Sequence, residues 1–210
     1  MADFQNMIDA LIKGQAPTVR QLVQDALEAG GSPAEILEKG LIAGMAVIGE
    51  RFKRNEIYVP EVLIAARAMK SGMEVLKPAL TGSGVEPKGV VALGTVKGDL
   101  HDIGKNLVAM MLEGAGYRVI DLGFDVSPEK YVQAVREGSQ LIGMSALLTT
   151  TMPSMKKTIA ALAEAGLRDK VKIIIGGAPV TQKYADEIGA DGYSADATSA
   201  TELVNALIGG

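Results

Sequence analysis

Apolar residues in the first 85 positions recur at three- and four-residue steps, which is the spacing of amphipathic helices. The run Val19, Leu22, Val23, Ala26 shows this most clearly, and Gly30-Gly31 follows it as a stop. The predicted helices cover 3–13, 16–29, 32–52 (opened by Ser32-Pro33) and 60 to about 78. We therefore expect a four-helix bundle over residues 1–85.

From about residue 86 the pattern changes to short β-rich runs that alternate with helical stretches. The predicted strands are 89–96, 117–122, 141–147, 171–175 and 192–193, and the predicted helices are 103–116, 128–138, 153–166, 181–189 and 199–207. Such alternation predicts a parallel sheet covered by helices on both faces. Units of this number and length favour a flavodoxin-like (Rossmann-type) five-stranded sheet in the order 2-1-3-4-5.

The two halves are joined by residues 81–87, which read as a linker because they are rich in Gly, Ser and Pro. This composition predicts a helical domain at 1–85, a hinge, and an α/β domain at 86–210. In a doubly wound sheet the ligand lies beyond the carboxyl ends of the strands. The loops after Val96, Leu147 and Ile175 are therefore expected to hold the chemistry.

Composition narrows the kind of chemistry. The chain has 210 residues, 48% of them hydrophobic, with no cysteine and one histidine, His101. The absence of cysteine excludes disulfides, thiolate zinc sites, iron–sulfur clusters and a cysteine nucleophile. One histidine excludes paired-histidine metal sites. A metal site is left with a single imidazole, or with carboxylates alone.

Charge and hydropathy bear on partners and location. The formal charge of −4 argues against non-specific nucleic-acid binding. No apolar run is long enough to cross a bilayer, and the N-terminus lacks the features of a signal peptide. We therefore expect a cytoplasmic protein that binds neither nucleic acid nor membrane.

The loop after the first predicted strand contains an Asp-x-His pair, Asp99 and His101. The surrounding glycines suggest a phosphate loop, but the spacing from Gly98 to Gly104 is too long for a Walker A and Asn106 replaces its Ser/Thr. A carboxylate two residues away can accept the imidazole Nδ1–H and leave Nε2 free for a metal. The alternative is a capping aspartate beside a solvated histidine.

The next two strand-end loops contribute hydroxyl groups and two glycines that leave space for a ligand. Thr149, Thr150 and Thr151 follow the third predicted strand, and Gly176-Gly177 follow the fourth. One imidazole, a slot lined by small residues, and hydroxyls at its base suit a large planar cofactor that brings its own metal. A tetrapyrrole is such a cofactor, because the protein then supplies only an axial ligand.

These residues carry a family resemblance. Asp99-x-His101-x-x-Gly104, Ser145-x-Leu147 and Gly176-Gly177 resemble the three-part signature of cobalamin-binding domains. Residues 1–85 resemble the helical cap of methionine synthase and of corrinoid methyl-carrier proteins, through the segments 38–41, 49–52 and 58–62. Adenosylcobalamin mutases share the signature but generally not this cap, so the resemblance favours methyl transfer over radical chemistry.

The resemblance implies a set of site residues. His101 would replace the cofactor's own base as the axial ligand of cobalt (base-off binding), with Asp99 bonded to it and Thr151 completing a catalytic relay. Further implied cofactor contacts are Gly98, Asp102, Gly104, Ser145, Leu147, Thr149, Gly176, Gly177 and Ala197, together with Glu38, Phe52 and Val59 on the cap.

Each assignment has a plainer alternative. Thr151 could be the N-cap of the helix that Pro153 opens, and Gly176-Gly177 could form an ordinary tight turn. Phe52 and Val59 could be core residues, and Glu38 a solvated helix residue.

The resemblance also implies a function. The chain would bind cobalamin or a related cobamide, cycle its cobalt between methyl-cob(III)alamin and cob(I)alamin, and carry the methyl group between partners rather than act as a complete enzyme. Those partners would be a donor-specific methyltransferase and an acceptor methyltransferase using tetrahydrofolate or a thiol such as coenzyme M, with a reductive activator. The alternatives are a cobalamin-dependent sensor, although no basic recognition helix is evident, and a corrin-free flavodoxin-like module.

Overall fold

The computed structural model describes residues 4–83 and 86–209. It separates into two compact units, Met1–Glu86 together with Gly114–Gly116, and Pro87–Glu113 together with Tyr117–Gly210. Within the described residues, no helix is long and apolar enough to cross a membrane.

The first unit is helical. Its elements are α1 (Phe4–Ile12), α2 (Ala16–Glu28), α3 (Pro33–Glu35), a π-helical segment (Ile36–Ile42), α4 (Ala43–Lys53) and α5 (Val59–Ser83). Since α3, the π-helical segment and α4 follow one another without a break, they form one composite helix. Its core contains the fully buried side chains of Leu11, Val19, Leu41 and Val62. The predicted helical N-terminal region is confirmed.

The prediction of one regular helix from Ser32 to Phe52 is wrong in detail. The segment Ile36–Ile42 is a π-helix, in which each backbone hydrogen bond joins residues five apart instead of four. Ile36 and Leu41, five residues apart, are both fully buried. A wider turn places both on the inner face, which the spacing of an α-helix does not do.

The prediction that the last helix ends near Pro78 is also wrong, because α5 continues to Ser83. A proline inside a helix costs roughly 3 kcal/mol, but Leu76 and Leu80 on either side of it are buried. Burying two leucines contributes roughly 3–6 kcal/mol, which exceeds that cost. The predicted linker at 81–87 therefore begins later than expected, and residues 84 and 85 lie outside the described residues.

The second unit alternates strands and helices. Its described strands are β1 (Val90–Val96), β2 (Arg118–Val126), β3 (Leu141–Ser145), β4 (Lys172–Gly176) and β5 (Gly192–Ser194). Its described helices are α6 (Ile103–Gly114), α7 (Pro128–Arg136), α8 (Pro153–Glu164), α9 (Gln182–Ile188) and α10 (Ala197–Ile208), with a 3₁₀ turn at Arg168–Lys170. All strand pairs are parallel, and their order is β2-β1-β3-β4-β5. The predicted fold class is confirmed.

Some boundaries differ from those predicted. β2 extends to Val126, and β3 ends at Ser145 rather than at residue 147. α10 begins at Ala197 rather than at residue 199, because the side chain of Asp196 accepts from the Ser199 N–H and forms a capping box.

The hydrophobic core of this unit lies on one face of the sheet. Ala92, Ile142 and Ile173 from the strands pack there with side chains of α7, α8 and α9. α10 packs on the other face, where a Cβ on Gly192 would meet the side chain of Leu203. β1 and β3 are neighbours whose connections leave in opposite directions along the sheet. The carboxyl ends of β1 and β3 therefore form the switch point at which ligands of this fold bind.

Candidate cobalamin site at the carboxyl ends of the strands

A row of small and hydroxyl-bearing residues crosses the sheet at its carboxyl edge. Thr95, Ser145, Gly176 and Ser194 pair across neighbouring strands. They alternate along their strands with members of the hydrophobic core, so they lie on the opposite face of the sheet. This row gives one face of the carboxyl edge polar groups and little side-chain volume.

Asp99 is the centre of the site. Val96 to Asp99 form a tight turn closed by the Asp99 N–H on the Val96 carbonyl, at 3.0 Å. Gly98 stands at the third position of this turn with φ +88°, a conformation that suits glycine. The turn directs the fully buried carboxylate of Asp99 towards the loop that follows β3.

Within the described part of the chain, both oxygens of this carboxylate are fully used. Oδ2 accepts from the backbone N–H of Leu147 (2.8 Å) and Leu148 (3.2 Å) and from the Thr151 hydroxyl (2.7 Å). Oδ1 accepts from the backbone N–H of His101 (3.0 Å) and pairs with its ring nitrogen Nδ1 (2.8 Å). Asp99 thus ties the loop after β1 to the loop after β3.

These contacts fix the charge of Asp99. Burial alone would raise the pKa of its carboxyl group, but the hydrogen bonds from Thr151, His101 and Leu147 outweigh burial and hold that pKa well below its usual range. The carboxylate is therefore ionised at neutral pH, and an ionised carboxylate can only accept hydrogen bonds.

The ionised carboxylate of Asp99 determines which ring nitrogen of neutral His101 carries the proton. Because Oδ1 can only accept, the neutral imidazole carries its proton on Nδ1, and Nε2 keeps its lone pair. No hydrogen bond to Nε2 is found within residues 4–83 and 86–209, and the His101 side chain is 51% exposed. A further bond, from the Thr95 hydroxyl to the His101 carbonyl (3.1 Å), holds the backbone of His101 in place. The Nε2 atom of a half-exposed imidazole is therefore available to bind a ligand at the carboxyl edge of the sheet.

Thr151 contacts Asp99 and does not cap a helix. The N-cap position of α8 is Met152, which makes no side-chain cap bond, so the N-cap interpretation of Thr151 is wrong. The Thr151 hydroxyl lies within reach of both Asp99 Oδ2 and the Leu148 carbonyl, at 2.7 and 2.8 Å. The ionised oxygen is the stronger acceptor for its single proton.

The glycines of the signature lie in two different surroundings. A Cβ on Gly104 would meet nothing within 4 Å, so the start of α6 is open to a bulky group. Gly177 has φ +125°, and a Cβ there would lie 1.9 Å from the Ala146 carbonyl oxygen. Close packing of the loop after β4 on the end of β3 is thus sufficient to require glycine at 177, which agrees with the tight-turn alternative. A role for Gly176 and Gly177 towards a cofactor stays a prediction.

Several large apolar side chains at this edge of the sheet are exposed. Leu100, next to His101, is 64% exposed, and Ile103 at the start of α6 is 81% exposed. Leu147 and Leu148 after β3 are 42% and 43% exposed. Phe124 near the end of β2 is 56% exposed. Large apolar side chains at a ligand-binding edge suit a broad, partly apolar ligand. A corrin ring is a ligand of this kind.

The remaining predicted contacts differ in exposure. Asp102 accepts from the Asn106 side chain (3.0 Å), Ala197 is buried at the start of α10, and Thr149 is exposed. Glu38 (exposed), Phe52 (half-buried) and Val59 (36% exposed) belong to the helical unit. Phe52 and Val59 are therefore not fully buried core residues of that unit. Their part in cofactor binding stays a prediction.

Sequence reasoning missed several residues that support the loop. Lys105 is buried, and its Nζ contacts Asp121 Oδ1 and Asn106 Oδ1, both at 2.6 Å. Asp125, after the solvent-facing Phe124, accepts from the Gly98 N–H at 2.8 Å. Asp121 and Asp125 lie in β2, and the signal that could have pointed to them is this pair of acidic residues towards the carboxyl end of that strand.

The donor set fits a metal carried by a macrocycle. In the described ranges, no three His, Cys, Asp or Glu side chains form a cluster that could hold a bare metal ion. A single uncommitted imidazole nitrogen, an apolar rim and a hydroxyl-lined face suit a macrocycle that brings its own metal.

Comparisons with known proteins identify the class. A family described as "B12 binding domain" matches residues 89–202, and a second family with the same description matches residues 4–77. A corrinoid protein of Desulfitobacterium hafniense is 42% identical over 100% of this chain and 99% of its own length. Trimethylamine corrinoid protein 1 of Methanosarcina acetivorans is 45% identical over 95% of this chain and 94% of its own.

A solved structure of a cobalamin-dependent system has a similar fold. A chain of the methanol:cobalamin methyltransferase complex from Methanosarcina barkeri aligns with a TM-score of 0.89 and 33% identity, covering 98% of this chain and 79% of that one. Fold and site thus define a cobalamin-binding α/β protein with a helical N-terminal domain. The chain belongs to the B12-binding family of corrinoid proteins from methyltransferase systems, and it binds a corrinoid.

Proposed function

We propose that the chain binds a cobamide in its base-off form, with Nε2 of His101 as the lower axial ligand of cobalt, and carries a methyl group between two methyltransferases. The observation that carries this proposal is the Asp99–His101 pair. Its 2.8 Å contact through Nδ1 leaves Nε2 uncommitted at the edge of the sheet where ligands of this fold bind.

The cofactor, when bound, supplies a cobalt that can accept and release a methyl group. The protein must then hold an axial ligand that can bind and leave. Asp99 fixes the tautomer and direction of the imidazole, while Thr151 and the backbone of Leu147 and Leu148 keep Asp99 ionised. Because Asp99 is ionised and can only accept a hydrogen bond from Nδ1, Nε2 is the ring nitrogen that would be left for cobalt.

Other residues are assigned to the rest of the cofactor. Ser145, on the hydroxyl row, and Gly176 beside it would face the nucleotide tail of a base-off cobamide. Thr149 and Gly177, which follow these strands, and Ala197 at the start of α10 would lie near the same tail. Gly98, Asp102, Gly104 and Leu147 would contact the corrin around His101. Glu38, Phe52 and Val59 of the helical domain would shield the methyl-bearing face.

Two partners follow from this role. One methyltransferase would load the cofactor from a methyl donor, and a second would transfer the methyl group to tetrahydrofolate or to a thiol such as coenzyme M. A reductive activator would reduce cobalt that has become oxidised. The names of the relatives support a methyltransferase partner, because they include a trimethylamine corrinoid protein and a chain of a methanol:cobalamin methyltransferase complex. The chain is then a component and not a complete enzyme.

Methyl transfer from the loaded protein tests this proposal. Protein carrying methylcobalamin should lose its methyl group to tetrahydrofolate or coenzyme M only when an acceptor methyltransferase is added, as followed by the visible spectrum and by labelled product. The His101→Ala variant should bind methylcobalamin with an altered spectrum. Protein that binds the corrinoid through His101 but exchanges no methyl group with any methyltransferase would favour a sensor.

A further inference from the structure

The end of β2 reaches the loop that carries Asp99 and His101. Asp125 Oδ1 accepts from the Gly98 N–H at 2.8 Å, and the Asp125 N–H donates to the Asp99 carbonyl at 3.0 Å. Oδ2 of the same carboxylate pairs with Lys97 Nζ at 2.9 Å. One residue thus brackets the Gly98–Asp99 segment with a side-chain bond at one end and a main-chain bond at the other.

The backbone of β2 is bent to make these contacts. Asp125 has φ +53°, and Gly123 two residues earlier has φ +86°. The pairing of β1 with β2 shifts register on both sides of Gly94. Such irregularities bend a strand and redirect its side chains. Aspartate is one of the few residues other than glycine that tolerate a left-handed conformation, because its short polar side chain bonds locally.

Asp99 is therefore held from two sides. The loop after β3 binds its carboxylate through Leu147, Leu148 and Thr151, and Asp125 binds its main chain and that of Gly98. His101 is attached to Asp99 Oδ1 by its own N–H and by Nδ1. A change at Asp125 can therefore reach the imidazole through Asp99 although Asp125 does not contact His101.

We propose that Asp125 is a positioning residue for the axial ligand, and that its hydrogen bond to the Gly98 N–H sets how firmly His101 coordinates cobalt. This inference rests on the proposed function, in which His101 is that ligand. The bond to Gly98, and not the ion pair with Lys97, carries the effect, because the Lys97 side chain is 57% exposed and an exposed pair contributes little.

Four variants of the full chain separate the contributions. Asp125→Gly removes the acceptor without backbone strain, and Asp125→Ala removes it and adds strain at the same φ. Asp125→Asn keeps an amide oxygen for the Gly98 N–H but loses the charge. Lys97→Met removes only the ion pair. Thermal unfolding of each apoprotein and the amount of methylcobalamin that it binds test whether each variant is folded.

The measurement is the acid titration of His101 coordination, followed by the visible spectrum of bound methylcobalamin. Removing one hydrogen bond of this kind should weaken coordination roughly five- to tenfold, so the midpoint for release of His101 should rise by roughly 0.7 to 1 pH unit in Asp125→Gly. The midpoint in Asp125→Ala should rise at least as far. Asp125→Asn and Lys97→Met should stay close to wild type.

The outcomes distinguish this inference from the proposed function. An Asp125→Gly midpoint equal to that of wild type would overturn the positioning role. Asp125→Asn and Lys97→Met shifting as far as Asp125→Gly would also overturn it, because the ion pair would then be responsible. If His101→Ala leaves the spectrum unchanged, the proposed function fails, whatever the Asp125 variants do.

Discussion

At the scale of single residues, the site depends on how the buried Asp99 carboxylate is satisfied. Thr151→Val keeps the shape of the side chain but removes the hydroxyl that donates to Oδ2. We expect it to lower the free energy of unfolding of the apoprotein by about 1–2 kcal/mol, measured by urea at pH 7. Thr151→Ser keeps the hydroxyl, so its free energy of unfolding should fall much less. Equal stability of the two variants would show that the contact does not support the carboxylate.

Asp99 should also leave a mark on the pH dependence of stability. Its pKa in the folded protein lies below the ordinary value of about 3.9. The ionised group therefore stabilises the fold fully above that ordinary value, and its contribution is lost as the pH falls further towards the lowered folded pKa.

The gap in unfolding free energy between wild type and Asp99→Asn should therefore be widest near pH 7 and should narrow below about pH 4. Urea unfolding of both proteins at several pH values measures this gap. A gap that stays constant with pH would mean that the charge on Asp99 is not what the surrounding donors stabilise.

The sequence predicted the Asp99–His101 contact because two residues in an extended loop bring a carboxylate within reach of Nδ1. It did not predict the backbone N–H groups of Leu147 and Leu148 on Asp99, since amide directions depend on how the β3 loop turns. Asp125 was missed for a similar reason. Its contact with Gly98 depends on a left-handed residue and a register shift, and neither has a side-chain pattern.

At the scale of elements, the turn after β4 must pack closely on the end of β3. Gly177→Ala would place a Cβ 1.9 Å from the Ala146 carbonyl oxygen at φ +125°. We expect a loss of at least about 2 kcal/mol in the unfolding free energy of the apoprotein. Gly104→Ala is the matched control, because its Cβ meets nothing within 4 Å and alanine favours helix. A Gly177→Ala protein as stable as Gly104→Ala would contradict this packing.

The order of the elements was predictable from the sequence, and their ends were less so. Alternating β-rich and helical runs specify the 2-1-3-4-5 sheet, because few topologies satisfy right-handed crossovers. The helix end expected near Pro78 failed since burial of Leu76 and Leu80 outweighs the local cost of proline. The π-helical turn at Ile36–Ile42 was not predicted because Leu37, Leu41 and Met45 recur at the four-residue step of an ordinary α-helix.

At the scale of the whole molecule, every contact of Asp99 and His101 described above lies in the α/β unit. A fragment of residues 86–210 should therefore fold alone and bind cobalamin through His101. Circular dichroism and the visible spectrum of the loaded fragment measure this, with the same fragment carrying His101→Ala as control. A fragment that stays unfolded would contradict the proposed division into domains at 1–85 and 86–210.

We propose above that His101, and not the cofactor's own base, ligates the cobalt. The chain contains one histidine, so labelling with ¹⁵N-histidine labels His101 alone. Electron paramagnetic resonance of bound cob(II)alamin shows nitrogen splitting from its axial ligand. We predict that the splitting changes from the ¹⁴N to the ¹⁵N pattern in labelled protein and disappears in His101→Ala. A ¹⁴N pattern that persists in labelled protein would show that the cofactor keeps its own base, and would contradict the account.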